Sequence, residues 1–231
     1  MDDIAGRIVL IVDASVPGPA RAACDDAAAA LAQRAGMPVT LAVVPIETLD
    51  AVQPVLRRGS GQIRDLDPPS VTTGAPMASA PFVWRRDGRP DWGAMWMTFC
   101  DLALHGGPPQ RGALEALRGA STGDRAAGSA PEISAELRRG IEETTGLATE
   151  PAGPAGPGWI AIPCASARMA AWLCATIILE NVDARVEGPR LLVPAGPGFT
   201  LEDQVKSVIT VVAKTHHYWR EHLESARETR S

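Results

Sequence analysis

Side chains capable of binding or catalysis are concentrated between positions 85 and 112. This segment combines arginines and tryptophans with a cysteine, a histidine and a Gly-Gly-Pro-Pro turn. Guanidinium groups bind carboxylates and phosphates through paired hydrogen bonds, and tryptophan rings stack on planar molecules. We therefore predict a site that holds a small anionic ligand against an aromatic wall; the alternative is a solvated basic turn beside a core helix. The predicted ligand-binding residues of this segment are Arg85, Arg86, Arg89, Arg111 and Trp96.

The segment also contains a candidate catalytic histidine. Apolar residues at helical spacing predict a helix that has Asp91 as its N-cap and His105 in its last turn. The negative end of a helix favours the protonated imidazole and raises its pKa. We therefore predict that His105 is a catalytic acid or base. The alternative is a histidine that only caps the last carbonyl groups of the helix.

Two further polar residues follow the first predicted strand, Arg7–Val12. Asp13 and Ser15 lie where this strand ends. In open α/β sheets, ligands bind beyond the carboxyl ends of the strands, so both residues are predicted ligand contacts. The alternative is a turn in which Asp13 or Ser15 bonds backbone amides.

Secondary candidates lie in the second half of the chain. Cys164 stands between a predicted strand and a predicted helix, where the helix N-terminus and Arg168 would lower the pKa of its thiol and favour a nucleophile. The alternative is a buried structural cysteine.

Lys214, His217 and Tyr218 share one face of the last predicted helix with Glu221. This face could contact a ligand or a partner subunit, or it could simply be solvated. A histidine and a glutamate alone do not complete a metal site, so no metal is predicted.

The elements that must position these residues predict an α/β fold. Two buried strands, Arg7–Val12 and Val39–Val44, flank an alanine-rich helix, Arg21–Arg34. This is the pattern of a parallel βαβ unit. Beyond a Pro- and Gly-rich stretch, the order β-α-β-β-α predicts a smaller ferredoxin-like unit. The predicted division is an α/β domain over 1–147, which includes the Arg- and Trp-rich insertion, a linker over 148–158, and an α+β domain over 159–231.

The first strand ends in the sequence Val12-Asp13-Ala14-Ser15. Over residues 8–44 the chain resembles the first β-α-β unit of universal stress proteins and related nucleotide-binding α/β folds, in which an Asp-x-Ser turn occupies this place. The later glycine-rich phosphate loop of that family is not matched, because the glycines after position 105 have a different spacing. The resemblance therefore implies the fold class and no particular ligand.

Composition limits the partners and the compartment. The 231-residue chain has a formal net charge of −5 and no long basic run, so no nucleic-acid partner is expected. Its four cysteines are dispersed, and its first residues lack the basic start of a secretory signal, which predicts a cytoplasmic protein. The apolar stretch 159–179 contains Pro163 and Arg168, so no membrane partner is expected.

These features predict a small-molecule enzyme that performs acid/base chemistry on an anionic or aromatic metabolite. No dinucleotide, P-loop, nucleophile-elbow or zinc motif is present, so no cofactor is predicted. The alternative is a non-catalytic metabolite-binding or accessory subunit that associates through its C-terminal domain, as in a homodimer.

Overall fold

The computed structural model describes residues 8–36, 39–58, 81–104, 131–151, 156, 158–180 and 182–228. The N-terminal elements are β1 (Ile8–Asp13), α1 (Gly18–Ala35), β2 (Val39–Val44), a 3-10 turn (Ile46–Thr48) and α2 (Leu49–Arg58). The middle elements are α3 (Trp92–Leu104), α4 (Pro131–Thr145), β3 (Glu150–Pro151), β4 (Trp159–Pro163) and α5 (Ala167–Leu179). The last elements are β5 (Arg185–Glu187), β6 (Arg190–Pro194), a π-helical turn (Leu201–Val205) and α6 (Lys206–Glu228).

The described part of the chain is a mixed α/β fold with a six-stranded sheet and six helices. The strand order is β1-β2-β5-β6-β4-β3. The pairs β1–β2 and β2–β5 are parallel. The pairs β5–β6, β6–β4 and β4–β3 are antiparallel. The predicted α/β class is confirmed, and the sheet has a parallel half that continues into an antiparallel half.

The predicted division into two units stays a prediction. Val43 of β2 pairs with Arg185 of β5, so one sheet crosses the predicted boundary. Strand β3 lies inside the predicted linker 148–158 and pairs with β4 through Glu150 and Ala161. The order β4-α5-β5-β6-α6 follows the predicted β-α-β-β-α pattern, but its strands do not form a sheet of their own.

Strand β2 is covered on both faces. Its side chains alternate between the two faces, so neighbouring residues pack in different clusters. Leu41 and Val43 pack in a cluster with Ala28 of α1, whereas Ala42 and Val44 belong to the main core together with α5. Burial on both faces explains why β2 is apolar at every position except Thr40.

Helices α5 and α6 form the centre of the main core. Every residue of 169–179 in α5 is buried, and so is every residue of 205–215, which includes the start of α6. Helix α6 packs against both α4 and α5. A helix buried on all sides rarely carries charge, so the buried Lys206 and Lys214 of α6 require a physical explanation. None of the described helices is both long enough and apolar enough to cross a membrane.

Candidate functional site

The predicted arginine-rich segment begins with a tight turn before α3. The backbone N–H of Arg85 donates to the carbonyl of Arg89 at 2.8 Å, and Gly88 has a φ of 80°, which favours glycine. Asp91 then caps α3, as predicted, since its Oδ1 accepts from the N–H of Ala94 at 3.0 Å. The turn therefore places both arginines beside the first residues of α3.

Both arginines extend from this turn to carboxylates. Arg85 pairs with Glu143 of α4 and, at 3.5 Å, with Asp91. The Nη2 atom of Arg89 lies 2.9 Å from Oε1 of Glu136, also in α4. The anions that these guanidinium groups hold are therefore side chains of the same chain. Binding of an external anion by Arg85 and Arg89 stays a prediction, and such an anion would have to compete with these carboxylates.

Arg139 of α4 joins the same side chains. Its Nη2 lies 2.7 Å from Oε2 of Glu136, and its Nη1 lies 2.8 Å from Oε2 of Glu143. Burial would raise the pKa of Glu136, but the hydrogen bonds from Arg139 and Arg89 outweigh it and lower the pKa. These ion pairs connect α4 to the turn that precedes α3. We call the set the arginine–carboxylate network, which comprises Arg85, Arg89, Arg139, Asp91, Glu136 and Glu143.

The other residues of the predicted anion site differ in their surroundings. Arg86 is exposed and makes no ion pair with any described residue. His105 and Arg111 lie outside the described residues. Trp96 is half-buried and stacks on Phe99, with ring centroids 5.3 Å apart. Trp96 therefore packs against the core, and its predicted role as a ligand wall stays a prediction.

A buried lysine that sequence reasoning did not single out lies near this segment. Lys206 is 3% exposed, and its Nζ lies 6.0 Å from the centroid of the Phe82 ring. The Phe82 ring in turn lies 4.8 Å from Trp84 and 5.6 Å from the buried Trp92. Trp84 is 50% exposed, so these four side chains extend from the core to the surface. We call Lys206, Phe82, Trp84 and Trp92 the Lys206 cluster.

The surroundings of Lys206 disfavour its positive charge. Burial lowers the pKa of the amine, and the carboxylate of Glu202 opposes this effect only in part. One signal in the sequence could have identified this residue, since Lys206 falls on a helical stripe with the buried Ile209 and Ala213.

Asp13 and Ser15 form a local turn at the end of β1. The Oδ1 of Asp13 accepts from the backbone N–H of Ser15 at 2.9 Å. Arg21 donates to the carbonyls of Ala14 at 2.8 Å and of Val16 at 3.2 Å, so its guanidinium group braces the same turn. These contacts fit the alternative interpretation, a turn in which Asp13 bonds a backbone amide. The predicted ligand contacts of Asp13 and Ser15 stay predictions.

The predicted lowering of the Cys164 thiol pKa is wrong, because the pKa is raised. Burial raises the pKa of this thiol to about 11, and its Sγ lies 3.5 Å from the carbonyl oxygen of Ile162. Arg168, which was expected to stabilise the thiolate, instead pairs with Asp50 at 2.6 Å. The sequence placed Cys164 correctly beside the start of α5 but did not reveal how far the fold would desolvate it.

The predicted polar face of α6 divides into a buried part and an exposed part. The Nζ of Lys214, whose side chain is 3% exposed, lies 2.8 Å from Oε1 of Glu180 at the end of α5. The phenolic oxygen of Tyr218 is also buried. His217 is 52% exposed and pairs with Glu221 at 3.0 Å. The fold therefore separates the exposed His217 from the buried Lys214 and from the buried hydroxyl of Tyr218.

The described residues contain no group of three or more His, Cys, Asp or Glu side chains placed to hold a metal ion. Comparisons of the chain with protein-family models, curated proteins and solved structures found no match. Arguments about function therefore depend on the chemistry of the side chains described above.

Proposed function

We propose that this chain is a small-molecule enzyme that performs cofactor-independent acid/base chemistry on an anionic or aromatic metabolite, with Lys206 as the base. The observation that carries the proposal is the burial of the Lys206 amine beside the Phe82 ring. A lysine is rarely buried without a role, and perturbed amines are typical of catalytic sites.

The pKa of the Lys206 amine is lowered, which is the direction that a base at neutral pH requires. An ordinary lysine is protonated at neutral pH and has no lone pair with which to accept a proton. Desolvation increases the neutral fraction of the Lys206 amine, and the neutral amine is the form that accepts a proton from a bound molecule. The ammonium ion that forms would then attract the negative charge left on the substrate.

The aromatic rings beside Lys206 favour a planar substrate. Trp84 is half exposed and lies against Phe82, so it offers a ring face at the surface beside the ring that neighbours the amine. The arginine–carboxylate network holds this segment on α4 and would position the rings. The anion-binding roles of Arg86 and Arg111, and the proton-transfer role of His105, remain parts of this proposal.

A binding experiment tests where the substrate site lies. Benzoate, an aromatic anion, should raise the melting temperature of the wild-type protein and of Lys214→Met, a control that removes the other buried lysine of α6. Benzoate should not raise the melting temperature of Lys206→Met. Stabilisation of Lys206→Met equal to that of the wild type would contradict the assigned site.

A second experiment tests catalysis. Phenylpyruvate in D2O should exchange its carbon-bound protons faster with the wild-type protein than with Lys206→Met, as followed by proton NMR. The rate should fall as the pH decreases, because protonation removes the lone pair of the amine. Exchange at the same rate with both proteins would exclude Lys206 as the base.

The second candidate function is a non-catalytic metabolite-binding or accessory subunit. It is favoured by the pairing of Arg85 and Arg89, the proposed anion anchors, with carboxylates of their own chain. In this case the ferredoxin-like order of residues 159–231 would serve association, with a homodimer as the first arrangement to test. Benzoate binding without proton exchange, together with a dimer mass in light scattering, would support this candidate.

A further inference from the structure

We propose a second small-molecule site between the end of α5 and the middle of α6, where Lys214 and Tyr218 donate hydrogen bonds to the carbonyl oxygen of a neutral ligand. The site is independent of the Lys206 cluster. Lys214 follows Lys206 by eight residues, which is about 12 Å along a helix axis.

The first argument is an excess of buried hydrogen-bond donors. The Lys214 ammonium has three N–H groups, and its one contact with a described side chain is the bond to Glu180 at 2.8 Å. The phenolic oxygen of Tyr218, one turn further along α6, is buried and has no hydrogen-bond partner in the described part of the chain. Buried polar groups in native proteins are almost always bonded, so the Tyr218 hydroxyl requires an acceptor, and the Lys214 ammonium has N–H groups beyond its bond to Glu180 that can share this acceptor.

The second argument is the charge around the phenol. Burial raises the pKa of Tyr218, and the carboxylates of Glu180 and Glu221 raise it further. The phenol therefore keeps its proton and acts as a donor at neutral pH. The same two carboxylates repel an anion, while Glu180 already neutralises Lys214. A neutral amide or ketone oxygen can accept from both donors and carries no charge to be repelled.

The site differs chemically from an acid/base centre. A general acid transfers its proton efficiently when its pKa is near the working pH, and the shift in Tyr218 is in the opposite direction. Lys214 is held in an ion pair with Glu180. Both groups are therefore suited to orient a ligand rather than to move its protons.

Tyr218→Phe tests the proposal because it removes one oxygen atom and leaves the ring. Without ligand, we expect the free energy of unfolding to stay the same or to increase, since an unbonded buried donor is lost. We expect acetamide and acetone to bind the wild-type protein in NMR titrations and to bind Tyr218→Phe about five- to tenfold more weakly, as expected for one lost hydrogen bond. Acetate, which has the same shape as acetamide, should bind more weakly than acetamide.

Three results would overturn the site. One is a loss of stability in unliganded Tyr218→Phe, which would mean that the phenol is already bonded within the folded protein. Another is equal binding of acetate and acetamide, and the third is no binding of either neutral probe. Lys206→Met should retain acetamide binding, and this variant distinguishes failure of the present inference from failure of the proposed enzyme site.

Discussion

Two buried lysines of the same helix have different surroundings. The amine of Lys214 lies against the carboxylate of Glu180, whereas that of Lys206 lies over the ring of Phe82. Burial lowers the pKa of the Lys206 amine, whereas the Lys214 amine is held by a carboxylate. Two residues of one type on one helix are therefore suited to different chemistry.

Glu136 provides a prediction at the residue scale. Its carboxylate accepts from Arg89, Arg139 and Trp92, and its side chain is 15% exposed. Glu136→Gln should lower the free energy of unfolding by about 1–3 kcal/mol, because bonds to a charged acceptor are lost. Urea unfolding at pH 7 measures this change. The control Asp26→Asn, on the exposed side of α1, should change it by less than about 0.5 kcal/mol.

The same carboxylate predicts a dependence of stability on pH. The pKa values of Glu136 and Asp91 are lowered in the folded protein, so the unfolded chain binds protons more tightly. Their contribution to the stability of the folded protein is complete above the ordinary carboxyl pKa of about 4. This contribution is lost as the pH falls through the lowered pKa values. Between pH 6 and pH 3, the free energy of unfolding in urea should decrease less in Glu136→Gln than in the wild type. Equal decreases in the two proteins would contradict the prediction.

Cys164 provides a prediction about reactivity. With a pKa of about 11, its thiol should be almost entirely protonated at pH 8, with a thiolate fraction of about 0.1%. Alkylation by iodoacetamide, followed by peptide mass spectrometry, should therefore be slow at pH 8 and accelerate towards pH 10. Rapid modification of Cys164 at pH 7 would show that the folded protein does not desolvate this thiol.

At the scale of elements, the contact between α4 and α6 fixes the position of the arginine–carboxylate network. A Cβ atom added at Gly140 would lie 2.9 Å from Cγ1 of Ile209 and 3.2 Å from Cδ1 of Trp92. The two helices thus approach where α4 has no side chain. Glu136 and Glu143, which pair with the arginines beside α3, lie on α4 on either side of this contact.

Gly140→Ala tests this close approach. Alanine favours a helix more than glycine does, but the overpacked contact should dominate and lower the stability by about 1–3 kcal/mol. Chemical denaturation of Gly140→Ala, of Ile209→Ala and of the double variant measures the coupling between the two positions. The double variant should be more stable than the sum of the single effects predicts, whereas simple additivity would argue against contact.

At the scale of the whole molecule, one sheet links the two halves of the chain. Strand β2 pairs with β5, α2 packs against α5, and Arg168 of α5 pairs with Asp50 of α2. These contacts cross the predicted boundary between 1–147 and 159–231. They favour unfolding of the two halves as one unit, because neither half can lose its structure without exposing apolar surface of the other.

Equilibrium unfolding in urea tests this cooperativity. Tryptophan fluorescence reports on the main core, and far-ultraviolet circular dichroism reports on all helices. Both signals should change at the same urea concentration. Two separate transitions would instead support the predicted division into independent domains.

The sequence alone determined the elements whose signals are local. Continuous apolar runs predicted β1 and β2, the side chain of Asp91 predicted the start of α3, and the β-α-β-β-α order was correct for the second half. These predictions succeed because the periodicity and capping of an element depend on residues within a few positions of one another.

Which charged side chains form ion pairs, and which polar groups are desolvated, depends on the tertiary fold. Glu136 and Glu143 are about fifty positions from Arg89 and Arg85, and Phe82 is far in sequence from Lys206. The thiol pKa of Cys164 likewise depends on neighbours brought together by the sheet and α5. Ion pairing and desolvation depend on distance in space, which the local pattern of a sequence does not contain.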